Sequence, residues 1–358
     1  MKKIAILTGG GDCPGLNAVI RGIVKTAKKK YNLEVIGYKD GYRGLVENWQ
    51  VPLDIEDVIG IIEKGGTILG SSNRDNPFAY RKEKDSKPVD MSEQCIKNLK
   101  AAGVDCLFVI GGDGTLTSGR DFSRMGFPVI GVPKTIDNDL NSTDITFGFN
   151  TAVTTATEAI DKLRTTAESH HRVMVVEIMG RYAGWLALEA GIAGAATAIL
   201  IPEIPYDLDK LCEVIKERSD NGKSFSIIAV SEGAKPKGGE LTVSKVLNYS
   251  PDAIRLGGIA NKLADQIEER IGVETRAVTL GHIQRGGQTS PYDRVLSTRY
   301  GVKAMELAMQ GIFGKMVALK GNEVSYVTLE EAVGQLKNVP VNCELIQTAR
   351  AIGISFGD

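Results

Sequence analysis

Short apolar, β-branched runs alternate with longer segments whose apolar residues recur every three to four positions. That alternation restricts the chain to the α/β class. Runs at 4–8, 34–37, 106–110, 128–132, 173–177, 198–201, 226–230 and 276–280 read as strands. Helical periods fall between them at 15–30, 92–102, 150–166, 185–193, 208–217 and 254–269. In the first of these Leu16, Val19, Ile20, Ile23, Val24 and Ala27 share one face, and Pro14 suits its first turn. The order predicts a doubly wound α/β protein with mostly parallel sheets. A chain of 358 residues is long enough for two lobes of this kind. The polar stretch 79–90 reads as a surface loop or fraying helix. The stretch 232–251, with Pro236, Gly238 and Gly239, reads as a second excursion. Neither is a clean linker, so the lobes are expected to exchange chain more than once.

Charge and cysteine usage remove several function classes. The net charge of −1 gives no electrostatic support for binding nucleic acid or a membrane surface, so an anionic ligand has to be held by local cations. The five cysteines (Cys13, Cys95, Cys106, Cys212, Cys343) form no CxxC pair, and their odd number argues against a disulfide framework. With three histidines, a structural zinc site is not expected. The opening eight residues are too short for a signal peptide, since Gly9-Gly10-Gly11-Asp12 ends the apolar run. No span approaches the ~18 apolar residues of a membrane helix. The expectation is a cytoplasmic protein, in which the sequons at Asn141 and Asn248 are chance matches.

Three segments carry candidate chemistry. Pro133-Lys134-Thr135-Ile136-Asp137-Asn138-Asp139 follows the apolar run 128–132, so a buried strand delivers two carboxylates and a hydroxyl to its carboxyl end. Ligands of open α/β sheets collect there. One carboxylate could take a proton while its neighbours handle phosphate charge, or it could be a solvated group or helix cap. Two glycine turns, Gly9-Gly10-Gly11-Asp12-Cys13-Pro14-Gly15 and Gly111-Gly112-Asp113-Gly114-Thr115, also follow strands. Such turns bring backbone N–H groups and a helix N-terminus to a phosphate, or they are ordinary tight turns. Neither is a P-loop, and Glu217 spoils the spacing before Gly222-Lys223-Ser224. Pro14 breaks the dinucleotide fingerprint in the first turn. Asp113 is a candidate magnesium ligand or a helix N-cap.

Five motifs in order resemble the 6-phosphofructokinase family. They are Gly-Gly-Asp-x-Pro-Gly-x-Asn (10–17), Gly-Gly-Asp-Gly-Thr (111–115), the heptapeptide 133–139, Met-Gly-Arg (179–181) and Leu-Gly-His-Ile-Gln-Arg-Gly-Gly (280–287). The similarity runs from about Lys3 to about Ala308. It implies two Rossmann-like lobes: a nucleotide-binding lobe of 1–140 plus about 252–308, and a sugar-phosphate lobe of about 141–251 plus 309–358. It also implies transfer of the ATP γ-phosphoryl group to the C1 hydroxyl of fructose 6-phosphate. Asp137 would be the general base, supported by Asp139. Thr135 would bond the transferring group, and Arg181 would serve the transition state. Gly11, Arg74, Gly112, Asp113, Gly114 and Thr115 would hold ATP, with Mg²⁺ at Asp113. Ile136, Met179, Gly180, Glu232, His282, Ile283, Gln284 and Arg285 fall on the sugar-phosphate segments. Arg172 and Arg276 would complete a neighbouring subunit's site, which implies a homo-oligomer, usually a tetramer.

Two positions bear on the phosphoryl donor. Lys134 resembles the pyrophosphate-using relatives, whereas Gly114 does not, because those relatives carry Asp there. A carboxylate at 114 would intrude on and repel the nucleotide α-phosphate, so Gly114 favours ATP; the alternative is a pyrophosphate–fructose-6-phosphate 1-phosphotransferase. A non-catalytic regulatory subunit is disfavoured, because Asp137, Asp139, Arg181, His282 and Arg285 are all present. The segment 70–75 carries one residue more than the common bacterial pattern, and 233–251 resembles an insertion of the pyrophosphate-related subgroup. Arg21, Lys25, Arg164 and Lys223 resemble the family's effector-binding cations, with Asn221 replacing one of them.

Overall fold

Each apolar run between turns folds as a strand because both faces of the sheets are covered by helices. The computed structural model describes residues 1–83, 86–246 and 254–358, so parts of both polar excursions lie outside the described residues. The strands are β1 (Lys3–Thr8), β2 (Glu34–Tyr38), β3 (Gln50–Pro52), β4 (Cys106–Gly111), β5 (Val129–Pro133), β6 (Val173–Ile178) and β7 (Ala198–Leu200). They continue as β8 (Ser226–Ser231), β9 (Val243–Val246), β10 (Ile254–Leu256), β11 (Thr275–Thr279), β12 (Lys315–Lys320) and β13 (Glu323–Thr328). The helices are α1 (Leu16–Tyr31), α2 (Tyr42–Glu47), α3 (Ser92–Ala101), α4 (Asp113–Arg124), α5 (Phe149–His170) and α6 (Trp185–Ala193). After them come α7 (Leu208–Asp220), α8 (Ile259–Ile271), α9 (Pro291–Met309), α10 (Leu329–Ala332) and α11 (Glu344–Ala351).

The larger sheet has the order β13-β12-β5-β4-β1-β2-β3, parallel from β12 to β2 with an antiparallel strand at each edge. The smaller sheet, β11-β6-β8-β7, is parallel throughout. Alternation along β1 and β4 sorts the apolar side chains: Ile4, Ile6, Phe108 and Ile110 join the cluster of α1 and α9. Ala5, Leu7, Leu107 and Val109 join that of α2, α3 and α4. Each such side chain contributes roughly 1.5–3 kcal/mol on burial. The first cluster does not stop at the larger sheet. It continues through Ile160 of α5 and Leu186 of α6 to Val176 and Ile178 of β6. Where α9 meets α5, the fully buried carboxylate of Asp293 accepts the Thr151 N–H at 2.7 Å and its hydroxyl at 2.6 Å. Asp293 thereby caps the first turn of α5 from another helix.

The strands of the two expected lobes are distributed differently from the sequence reading. The 252–308 stretch supplies β11 to the smaller sheet, because 275–279 hydrogen-bonds beside β6. The 309–358 stretch supplies β12 and β13 to the larger sheet, because Lys315 and Met316 pair with Ile130 and Gly131. From the former stretch α9 packs on α1, while Ser355 from the latter bridges to Ala198 of the smaller sheet. A helix over 254–269 was expected; instead β10 comes first, and α8 starts only after Gly257 and Gly258, both at positive φ. No helix among the described residues is long and apolar enough to cross a membrane.

From β1 the chain passes to β2 on one side, while β4 lies on the other. This is a switch point, and the crevice it opens sits at the carboxyl ends of β1 and β4. Both glycine turns emerge there.

Candidate active site

A cavity of about 410 Å³ lies at this crevice, walled by the two glycine turns and the segment after β5. Gly9 and Gly111 are needed for a packing reason. A Cβ on Gly9 would stand 2.6 Å from the Thr115 side chain, and one on Gly111 2.3 Å. Thr115 is thus clamped between the turns, and its carbonyl accepts the Tyr42 hydroxyl at 2.8 Å. A Cβ on Gly11 would lie 2.1 Å from Arg285 Nη1, so the bare backbone lets the guanidinium reach the first turn. The Gly10 N–H donates to the Ser72 carbonyl at 2.9 Å, and the Ser71 hydroxyl donates back to the Gly10 carbonyl. These bonds draw exposed Arg74 over the turn, where it borders this cavity and a neighbouring one of about 820 Å³.

The second turn opens α4. Gly112 is the N-cap and Asp113 the first helical residue, so the capping alternative for Asp113 does not hold. Its Oδ1 instead accepts the Gly334 N–H at 2.9 Å. Gly112, Asp113, Gly114 and Thr115 line the cavity, and the N–H groups of this first turn have no carbonyl partner within the helix. At Gly114 a Cβ would meet no atom within 4 Å.

After β5 the chain turns sharply at Asn138, whose φ of 51° is left-handed. Thr135 Oγ1 accepts the Asp137 N–H at 3.1 Å, and the Thr146 hydroxyl donates to the Thr135 carbonyl at 2.7 Å. The buried Lys134 ammonium donates to the Gly11 carbonyl and so joins the loop to the first turn. Burial is the main reason its affinity for a proton is lowered. Asp137 is pushed in the opposite sense, up to about 7, chiefly by burial and then by Asp139 and Glu232, against Arg285 and Lys134. Its Oδ1 is buried with no hydrogen-bond partner among the described residues. Asp139 is raised as well, first by burial, with Asp113 adding to the effect. Thr135, Ile136, Asp137 and Asp139 all line the cavity.

The ends of β6 and β8 bring the other candidates near. Gly180 adopts φ 137°, and a Cβ there would stand 2.8 Å from Ser231 Oγ, which donates to the Gly180 carbonyl. Arg181 stacks its guanidinium 4.9 Å from the Tyr182 ring centre. Glu232 is raised first by burial and then by Glu177, and it lies close enough to raise Asp137 in turn. Gln284 is fully buried; its carbonyl accepts the Met179 N–H at 3.3 Å and its amide donates to the Gly281 carbonyl at 3.0 Å. It braces the Met179–Arg181 turn, while Ile283 stays exposed. His282 borders the larger cavity, and Arg285 borders both.

Arg172 and Arg276 stand apart from both cavities. They lie at the amino ends of β6 and β11, roughly 20 Å of strand from Met179 at the ~3.3 Å rise per residue. Arg172 pairs with Glu274 at 2.7 Å, and Arg276 with Glu274 and, at 3.5 Å, with Glu268. Arg164, Asn221 and Lys223 line a separate cavity of about 480 Å³, together with Arg218. Arg21 and Lys25 belong to α1.

Sequence reading missed Lys337. Its ammonium donates to Asn138 Oδ1 at 3.0 Å and to the carbonyls of Thr143 and Asp144 at 2.9 and 2.8 Å. Burial lowers its pKa to about 8. It sits in a non-periodic segment between glycine and proline turns, and no local pattern announces it.

The family profile described as phosphofructokinase matches residues 3–308. The ATP-dependent 6-phosphofructokinase 2 of Clostridium perfringens (strain 13 / Type A) is 64% identical over 362 residues, covering 100% of this chain and 99% of that protein. A crystal structure of Pichia pastoris phosphofructokinase in the T-state matches with a TM-score of 0.80 at 32% identity, over 92% of this chain. The present chain spans 35% of that longer one. Pyrophosphate-dependent phosphofructokinase from Nitrosospira multiformis matches with a TM-score of 0.83 at 22% identity, over 100% of this chain and 93% of the other, a likeness of fold.

Proposed function

The chain belongs to the phosphofructokinase family, and from that premise we propose that it transfers the γ-phosphoryl group of ATP to the C1 hydroxyl of fructose 6-phosphate. The products are fructose 1,6-bisphosphate and ADP, and the reaction is a step of glycolysis in the cytoplasm. The carrying observation is Asp137, a half-buried carboxylate raised to about 7 whose buried Oδ1 has no partner among the described residues. A base poised near neutrality is what removal of a hydroxyl proton requires. In the proposed step Asp137 takes the C1 hydroxyl proton as that oxygen attacks the γ-phosphorus, and ADP leaves from the opposite side. Phosphoryl transfer leaves the protein mainly positioning and charge neutralisation. The first turn of α4, Gly11 and Arg74 hold the nucleotide phosphates; Thr135 and Arg181 bond the transferring group. Glu232 accepts sugar hydroxyls, with Met179 beside it. His282 and Arg285 hold the 6-phosphate, and Arg285 stands where the two substrates meet.

A magnesium ion fits Asp113. No group of three or more metal-binding side chains occurs among the described residues, so a cation there would be completed by substrate oxygens, as suits Mg²⁺. When bound, it would neutralise charge on the phosphates. Steady-state turnover of fructose 6-phosphate with ATP and with pyrophosphate tests the reading; turnover with pyrophosphate alone would overturn the donor.

The remote placement of Arg172 and Arg276 supports a tetramer in which they reach the 6-phosphate of a neighbouring subunit. Arg276→Ala and Asp137→Asn chains, each nearly inactive, should then regain activity when refolded together. Hybrid assemblies pair an intact Asp137 from one chain with an intact Arg276 from the other. A mixture no more active than its components would remove that role. The cavity at Arg164 and Lys223 supports an anionic effector site. Velocity curves with ADP or phosphoenolpyruvate should separate from the uninhibited curve; superimposed curves would sink the proposal.

A further inference from the structure

Residues 334–339 form a strap behind the reacting carboxylates. At one end the Gly334 N–H donates to Asp113, and Leu336 bridges antiparallel to Leu140. In the middle the Lys337 N–H donates to the Asp139 carbonyl at 2.8 Å. At the other end the strap docks on the lobe of the smaller sheet. The Trp185 indole donates to the Lys337 carbonyl at 2.8 Å, and the Val339 N–H donates to Glu203 Oε1 at 2.8 Å. That same carboxylate oxygen accepts the Gly184 N–H at 3.0 Å.

Lys337 is the centre of this arrangement. An ammonium has three donors, and here all three reach the segment 138–144. Asn138, the side chain among those acceptors, is 3% exposed and occupies the left-handed turn between Asp137 and Asp139. Its Oδ1 also accepts the Thr146 N–H at 3.0 Å. A left-handed residue other than glycine needs such restraint, since its backbone energy alone disfavours the turn. Because the two carboxylates flank that residue, the turn sets where each one points.

We propose that Lys337 is a positioning residue for phosphoryl transfer, which through Asn138 fixes the aim of Asp137 and Asp139. Lys337 does not line either cavity, so its action runs through Asn138. The inference rests on the reading of Asp137 as the base.

The test is steady-state kinetics with ATP and fructose 6-phosphate on Lys337→Met, Asn138→Ala, the double variant and, in parallel, Asp137→Asn. A misaimed base slows chemistry without loosening binding. Each single variant should lose about 10²-fold in kcat, the scale of an ångström's misplacement. Both KM values should stay within about threefold of the original. The double variant should lose less than the two single losses combined, because both single changes remove the Lys337–Asn138 contact. Additive losses, or raised KM with unchanged kcat, would overturn the proposal. If Lys337→Met does not yield folded protein, Asn138→Ala decides alone, and near-normal kcat there overturns it. Should Asp137→Asn be inactive while the other variants turn over normally, only this inference falls. Should Asp137→Asn stay active, the base reading falls and the positioning role falls with it.

Discussion

Asp137→Asn should lower turnover of fructose 6-phosphate about 10³-fold, within the range general bases contribute, and should stabilise the folded protein at pH 8. Both effects have one cause. The folded protein holds this carboxyl at about 7 rather than the ordinary 3.8, mainly by burying it. Below about pH 4 the group is protonated in both folded and unfolded chains, and burial costs nothing electrostatically. Between about pH 4 and pH 7 the unfolded chain has released this proton while the folded chain still holds it, so stability falls across that window and levels off once the folded carboxyl ionises above 7. The shift corresponds to as much as about 4 kcal/mol at 1.36 kcal/mol per unit. Asn, of nearly the same shape, carries no charge. Its stabilising effect should therefore be absent near pH 4 and full above pH 7, as thermal melts across that range would show. In the unaltered protein kcat/KM should rise with pH through about 7, and the Asn variant should lack that limb. If it keeps turnover within tenfold of the original, another group takes the proton.

Gly114→Asp should reduce kcat/KM for ATP about 10³-fold while leaving the fold intact. A Cβ at this position meets no protein atom within 4 Å, so the side chain has room. A carboxylate in the first turn of α4 also suits the helix electrostatically. The penalty falls on the ligand. Two like charges about 4 Å apart near a protein surface repel by roughly 4 kcal/mol, close to three decades in affinity. Pyrophosphate has no α-phosphate beyond the transferring pair, so the substitution should not lower turnover with that donor. A coupled assay with both donors reads the difference directly. Undiminished ATP turnover would refute both the steric and the electrostatic argument.

The strands that position the site were legible because their signal is local. β4 and β5 are buried on both faces and read as unbroken apolar runs, and the second glycine turn marks the end of β4. α9 was not legible, because its buried face sets Asp293, Ser297 and Gly301 among Leu296, Tyr300 and Met305, which breaks the apolar stripe. α4 was hidden by its polar composition, Asp-Gly-Thr-Leu-Thr-Ser-Gly. Asp137 and Asp113 could be named from motif chemistry. Gln284 also falls within a motif, yet its amide serves backbone groups, a distinction that needs three dimensions. Lys337 and Asn138 are 199 positions apart, and only folding sets one against the other.

The apolar cluster shared by both sheets, stapled where Asp293 grips Thr151, limits how this protein can move. Opening the lobes like a jaw would expose that cluster and strand the buried carboxylate from its partners. The motion left is shear, with α5 and α9 sliding against their neighbours by an ångström or two while the core stays closed.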